Sequence, residues 1–207
     1  MLYDLSPRLD AETPVWPGDT PLRREVLMEL ERGDPITLST LRSTVHVGSH
    51  ADAPSHYAED GSTIDRMDPE RYLGRCLLLD VAVARRERVA AGKIPTTPLP
   101  PRVLLRTRSW DRDRRPFDEG FAGLSEACIE ALADRGVRLI GVDTPSVDLF
   151  PSKRLPAHRT CHRRDVAIVE GLVLDGVPAV EGELICLPLN LVGFDASPVR
   201  ALFRTEG

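Results

Sequence analysis

The sequence predicts an α/β domain built mostly from short strands, with few helices. Three observations carry that expectation. Eighteen prolines cut the 207-residue chain into short pieces; most apolar segments are brief and end at Gly, Pro or Asp; and a single stretch combines helical periodicity with a cap at each end.

Taken in order, WPGDTP (16–21) has the chemistry of a tight turn, with Gly18 free to take positive φ. Residues 22–30 (LRREVLMEL) and 36–47 (ITLSTLRSTVHV) then read as strands. So do the short runs at 76–83, 102–107, 138–143, 165–174 and 183–192. The helix is SEACIEALADRG (125–136), where Ser125 suits the N-cap, Glu126 suits the positive end of the dipole and Gly136 can close the C-terminus. Its apolar stripe is Cys128, Ile129, Leu132 and Ala133. The run after it, VRLIGVD, is continuously apolar, as a strand covered on both faces beneath a helix should be.

With no internal repeat and no Pro/Gly/Ser-rich linker, residues 1–207 read as one domain around one core. A composition of 42% hydrophobic and 29% charged residues is globular rather than disordered. The net charge of -5 argues against nucleic-acid binding, which needs a basic field. The one basic run, RTRSWDRDRR (106–115), is interleaved with Asp111 and Asp113 and reads as a solvated surface loop. The first ten residues lack a basic and apolar leader, and no apolar run approaches membrane-spanning length, so no membrane association and a cytoplasmic location are expected. Cysteines 76, 128, 161 and 186 form no C-x-x-C pair and are expected as free thiols, with Cys76, Cys128 and Cys186 in the core.

The chemistry concentrates in HVGSHADAPSH (46–56), which holds three of the five histidines. Gly48 and Pro54 make it a poor helix, so it should be a strand running into a loop. In an extended chain positions 46, 48, 50 and 52 share one face, and Gly48 would leave room for an ion between His46, His50 and Asp52. Imidazole with carboxylate suits Zn²⁺, Mn²⁺ or Fe²⁺, and three protein ligands leave a position open for chemistry. His56 breaks the period of two and is a candidate general acid and base. A second group, His158, His162, Asp165 and Glu170, includes a carboxylate inside an apolar run that a metal would make less costly to bury. On spacing alone His162 and Cys161 compete with His158. Trp16 suits either the core or a platform for a flat ligand. Two histidines and a carboxylate also describe a mononuclear iron oxygenase, and a non-enzymatic metal binder is a third reading. A serine hydrolase is disfavoured because G-x-S-x-G is absent.

The eleven residues His46-Val47-Gly48-Ser49-His50-Ala51-Asp52-Ala53-Pro54-Ser55-His56 resemble the signature H-x-G-T-H-x-D-x-P-x-H of the cyclase family of metal-dependent hydrolases, departing only at Ser49. YDLS, WPGDTP, LIGVDTPSVD, PAHR, VEGLVLDGV and DASPVRAL, in this order, resemble the bacterial kynurenine formamidases (arylformamidases) within it. The resemblance implies a mixed-sheet swivelling β/β/α domain working as a homodimer. It implies two Zn²⁺ per subunit, with Mn²⁺ as a substitute: His46, His50 and Asp52 on one, His158 and Glu170 completing the other, Asp52 and Glu170 shared. It makes His56 the proton carrier, places Trp16 against the substrate ring and leaves His162 on the surface. The implied reaction is hydrolysis of N-formyl-L-kynurenine to L-kynurenine and formate by a metal-activated hydroxide, a step of tryptophan degradation. Hydrolysis of a related aryl amide or a lactam such as isatin is the nearest alternative.

Overall fold

The computed structural model describes residues 1–206. Its strands are β1 (Leu2–Asp4), β2 (Arg23–Met28), β3 (Leu38–Arg42), β4 (His50–Asp52), β5 (Leu73–Asp80), β6 (Arg88–Val89), β7 (Arg102–Arg106), β8 (Gly123–Leu124), β9 (Leu139–Val142), β10 (Ala167–Glu170), β11 (Glu181–Ile185), β12 (Ala196–Pro198) and β13 (Leu202–Arg204). The two α-helices among the described residues are α1 (Glu126–Ala133) and α2 (Pro156–Arg163). The strand-rich mixed α/β architecture expected from the sequence is the one observed.

Nine strands form one mixed sheet in the order β1-β13-β11-β5-β7-β9-β10-β4-β12. The central β5, β7, β9 and β10 are parallel, and antiparallel strands extend the sheet on both sides. The central strands are apolar on both faces because each face carries its own core. Leu104, Leu139 and Val169 enter one cluster with Leu5, Tyr72 and Phe203. Their neighbours Val103, Leu105, Ile140 and Ile168 enter the other, with Cys128, Ile129 and Leu132 of α1 and Ala157 and Cys161 of α2. This period-two division fixes register, since a slip of one residue would exchange the faces.

Helix α1 forms as its caps predict. Ser125 Oγ accepts the Cys128 N–H at 3.1 Å, a contact that contributes about 1 kcal/mol. After it, Gly136 takes φ +84° and the Val137 N–H reaches back to the Leu132 carbonyl. Helix α2 was not foreseen from the sequence, because PAHRTCHR is too polar to show an apolar stripe. Its signal is Pro156 at the first helical position, followed by a buried face of Ala157, His158, Thr160 and Cys161.

Three expected strands are markedly shorter. Of the 36–47 run only Leu38–Arg42 is extended, of 165–174 only Ala167–Glu170, and 183–192 is extended only to Ile185, with turn and coil beyond. Strands β2 and β3 pair only with each other, in a hairpin whose second strand is exposed throughout. No helix among the described residues is long and apolar enough to cross a membrane.

The basic run departs from its expected surface role. Asp111 and residues 113–115 are exposed, but Arg112 is half-buried and donates to the Leu172 carbonyl at 2.7 Å, and Arg106 is buried: its guanidinium donates to the Asp80 carboxylate and to the carbonyls of Leu174 and Val177. A buried cation is tolerated here because its donors are matched. Within the following loop Asp118 is likewise buried and accepts from Arg85 Nη1 at 2.8 Å and from the Asp111 and Gly120 N–H groups. Burial opposes its ionisation, yet these donors win and hold its carboxyl down at about 2. A carboxyl lowered on folding stabilises the protein above its unfolded pKa near 3.8, and that contribution is lost as pH falls toward 2. Because Arg85 is half-exposed, the contribution is about 1 kcal/mol after screening. Urea melts of wild type and Asp118→Asn should differ by that amount at pH 6 and converge between pH 4 and pH 2; a gap independent of pH would refute the assignment.

Candidate active site

Strands β4 and β10 run antiparallel with His50 opposite Glu170 and Asp52 opposite Ile168. Residues two apart on a strand share a face, so His50, Asp52 and Glu170 project together toward the layer that holds α2. His158 reaches the same point from the first turn of that helix.

His46 arrives differently from the sequence expectation. It lies in a turn after β3, and Gly48 takes φ +63°, so residues 46 to 52 are not one extended strand. Gly48 is needed for this bend rather than as space for an ion: a Cβ there would point at the side chains of Leu9 and Pro7. Its carbonyl is also where a Cβ on Gly171 would fall, at 2.2 Å, with Gly171 at φ +69°. Ser49, the one departure from the signature, donates its hydroxyl to the Gly171 carbonyl at 2.9 Å, so the hydroxyl shared by Ser and Thr is what the position needs. Gly171→Ala would set a methyl against backbone that cannot rotate away, in a left-handed conformation. We expect a loss of about 2–4 kcal/mol in denaturant melts together with loosened metal binding; near-wild-type stability would refute the backbone contact.

Five side chains converge. Asp52 Oδ1 lies 3.2 Å from His46 Nδ1 and 3.5 Å from His50 Nε2, while Oδ2 lies 3.4 Å from His158 Nε2. Glu170 Oε2 is 3.4 Å from His50 Nε2, and Oε1 is 3.5 Å from His158 Nε2. Two groups result, His46–His50–Asp52 and Asp52–His158–Glu170, each with ligand atoms close enough for one ion. Both Asp52 oxygens are buried without an aligned hydrogen-bond donor, an expensive state for a carboxylate. Tetrahedral coordination at about 2.0–2.1 Å has edges of about 3.3–3.4 Å, so these spacings fit atoms arranged around small cations.

Each imidazole is oriented by an acceptor at its other nitrogen. His50 Nδ1 faces the Gly48 carbonyl at 3.1 Å, His158 Nδ1 faces Asp148 Oδ2 at 3.0 Å, and His46 Nε2 faces Asp195 Oδ2 at 2.9 Å. These contacts assign the N–H to the outer nitrogen and leave the inner lone pair for a ligand. Asp148 also accepts the Ala157 and His158 N–H groups at the start of α2 and pairs with Arg88. The sequence reading missed Asp148 and Asp195. Nothing in the spacing marks either: Asp148 lies eight residues before Pro156, outside the N-cap position, and meets the start of α2 only through the fold.

The local field is strongly anionic. Burial opposes protonation of His46, but Asp52 and Asp195 raise it to about 9. Burial likewise opposes protonation of His158, and Asp148, Asp52 and Glu170 raise it well above the ordinary imidazole range. Burial would raise Asp52, but His158 and His46 hold it well below the usual carboxylate range. A field that favours protons on these nitrogens favours a dication in their place.

His46, His50, His158 and Glu170 of the cluster line a cavity of about 390 Å³ that His56 and Trp16 also line. His56 stands on a short 3₁₀ turn (Pro54–His56), its ring centroid 4.3 Å from that of His46. Trp16 stacks on Phe150 at 4.7 Å and leans on Phe117 at 5.6 Å, at the edge of the turn closed by the Asp19 N–H to Trp16 carbonyl bond. Gly18 takes φ +93° there, as the turn reading required. Trp110 and Phe117 continue the aromatic wall. The two competitors of His158 lie elsewhere: His162 points to Asp60 at 3.2 Å, and Cys161 is sealed in the helix-side core.

Residues 3–149 match the model of the Cyclase family, described as "Putative cyclase". The chain belongs to the Cyclase family. Among solved structures, this family member is similar to a protein described as a potential metal-dependent hydrolase with cyclase activity, at 27% identity and TM-score 0.84, covering 100% of this chain and 99% of that one. A predicted metal-dependent hydrolase from Bacillus stearothermophilus matches at 27% identity and TM-score 0.81, over 98% and 97%. Isatin hydrolase A from Labrenzia aggregata shares the fold at 24% identity and TM-score 0.83, over 100% and 94%.

Proposed function

We propose that this Cyclase-family protein is a metal-dependent amidohydrolase that converts N-formyl-L-kynurenine to L-kynurenine and formate. The observation that carries the reading is the pair of buried carboxylates facing three imidazoles at the foot of an aromatic-walled cavity. The metal-dependent hydrolases among its structural relatives support the reaction class, and the segments resembling kynurenine formamidases support the substrate. On this reading His46, His50 and Asp52 hold one ion, His158 and Glu170 complete a second with Asp52, and the ions are Zn²⁺, with Mn²⁺ able to substitute. The single domain acts as a homodimer in the cytoplasm.

When bound, such ions acidify a water from a pKa of 15.7 to about 7 and polarise a carbonyl oxygen. The chain's own residues do the rest. Trp16 and Phe117 hold the aryl ring, which sets the formyl group at the cluster. His56 accepts a proton from the water that adds to the formyl carbon and returns it to the aryl nitrogen as the C–N bond breaks. An aryl amine leaves poorly as an anion, so that proton is essential. The half-enclosed aromatic wall limits bulk water around the reacting carbonyl.

Opening of a lactam such as isatin is the second reading, favoured by the isatin hydrolases that share the fold. One experiment separates them. Protein purified without chelator is analysed for metal and assayed anaerobically on both substrates, before and after chelation and zinc return. Metal-dependent turnover of the formamide supports the proposal, turnover of isatin alone supports the second reading, and a requirement for O₂ and a reductant would overturn both.

A further inference from the structure

Asp195 precedes β12 and belongs to neither carboxylate-centred group, yet one of its oxygens meets two histidines. Oδ2 lies 2.9 Å from His46 Nε2 and 3.3 Å from His56 Nδ1. The residue is held in place by its backbone: its carbonyl accepts the Ala53 N–H at 2.9 Å, and the next residue, Ala196, pairs with Asp52 across the β4–β12 ladder. Asp195 is therefore registered to the same strand that carries His50 and Asp52.

A carboxylate oxygen only accepts, so each nitrogen facing it carries the hydrogen. For His46 this frees Nδ1 toward Asp52. For His56 it fixes the Nδ1–H tautomer and leaves the lone pair on Nε2, on a ring that borders the cavity. An imidazole serves as a base only through the nitrogen without a proton, and an exposed ring with no partner would exchange tautomers and rotate.

We propose that Asp195 is the positioning residue of His56, holding the ring and its Nδ1–H so that Nε2 is the atom that takes the proton during amide hydrolysis. The catalytic half of this rests on the hydrolase reading above; the tautomer half does not. The three groups His46, His56 and Asp195 could also gather around an ion of their own, and that occupant is an outcome of the test.

The experiment compares wild type, His56→Ala, Asp195→Ala and the double variant, each loaded with zinc. With five histidines in the chain, the His56 ring nitrogens are assigned in ¹⁵N NMR by difference against His56→Ala. We expect His56 in wild type as the Nδ1–H form and a shift toward the Nε2–H form in Asp195→Ala. We expect kcat in Asp195→Ala to fall about 10 to 100-fold with KM and zinc content near wild type, and no further fall when Asp195→Ala is added to His56→Ala, because a residue acting through another loses its effect when that other is gone.

An unchanged His56 tautomer, or additive losses in the double variant, overturns the proposal. So does one extra zinc ion in wild type that disappears with Asp195, which would make the trio a cation site. A tautomer shift in Asp195→Ala, with a wild type that turns over neither amide nor lactam, supports the Asp195–His56 pairing and overturns the hydrolase reading instead.

Discussion

Asp52→Ala protein should purify without metal and without turnover. Asp52 is the member common to both ligand groups, presenting one oxygen to His46 and His50 and the other to His158. Removing it takes one ligand from each group, and with it the charge that favours a dication over protons on the neighbouring imidazoles. Metal supplies several kcal/mol of transition-state stabilisation in such hydrolases, so turnover should fall about 10³-fold or more. Folding is checked separately. Ions that bind only the native state raise its stability by about 2.7 kcal/mol at 100 times Kd, so zinc should raise the Tm of wild type but leave that of Asp52→Ala unchanged. Full metal occupancy in the variant would show that Asp52 does not bridge the groups.

His56→Ala should behave in the opposite way, keeping its metal and losing turnover. His56 borders the cavity and its nearest acid is Asp195; it belongs to neither Asp52-centred group. A general acid and base contributes about 10² to 10⁴-fold, and the loss should fall on kcat with KM little changed. It should also depend on the leaving group: an aryl amide that departs more easily as an anion needs the proton less, so the variant's deficit should shrink along a series of ring-substituted formanilides. A variant stripped of metal would make His56 a ligand, and a deficit indifferent to the leaving group would remove its role in protonating nitrogen.

These predictions separate what could be read in the sequence from what could not. His50 and Asp52 were legible as partners because a strand repeats every two residues, and β4 obeys that period. His46 was legible as a member of the cluster but for the wrong reason: a positive φ at Gly48, rather than a shared strand face, brings it in. Arg106 was misread because charge along a sequence does not reveal that three backbone and side-chain acceptors wait at one buried point.

By itself the sequence determined the strand-rich α/β class, the caps of α1, the turn at Gly18 and the residue types able to hold a metal, since all of these depend on neighbours within a few positions along the chain. Only the tertiary structure decided which distant residues meet. The β4–β10 register set Glu170 against His50, and the start of α2, held by Asp148, brought in His158 and turned His162 and Cys161 away. Asp195 joined the site through the β4–β12 ladder, almost 140 residues after His56 (139 by number). The period-two pattern of a strand tells which residues share a face but not which strand lies beside it, because the ladder is built from backbone groups common to nearly every residue, and so the choice of partner emerges only when the sheet assembles.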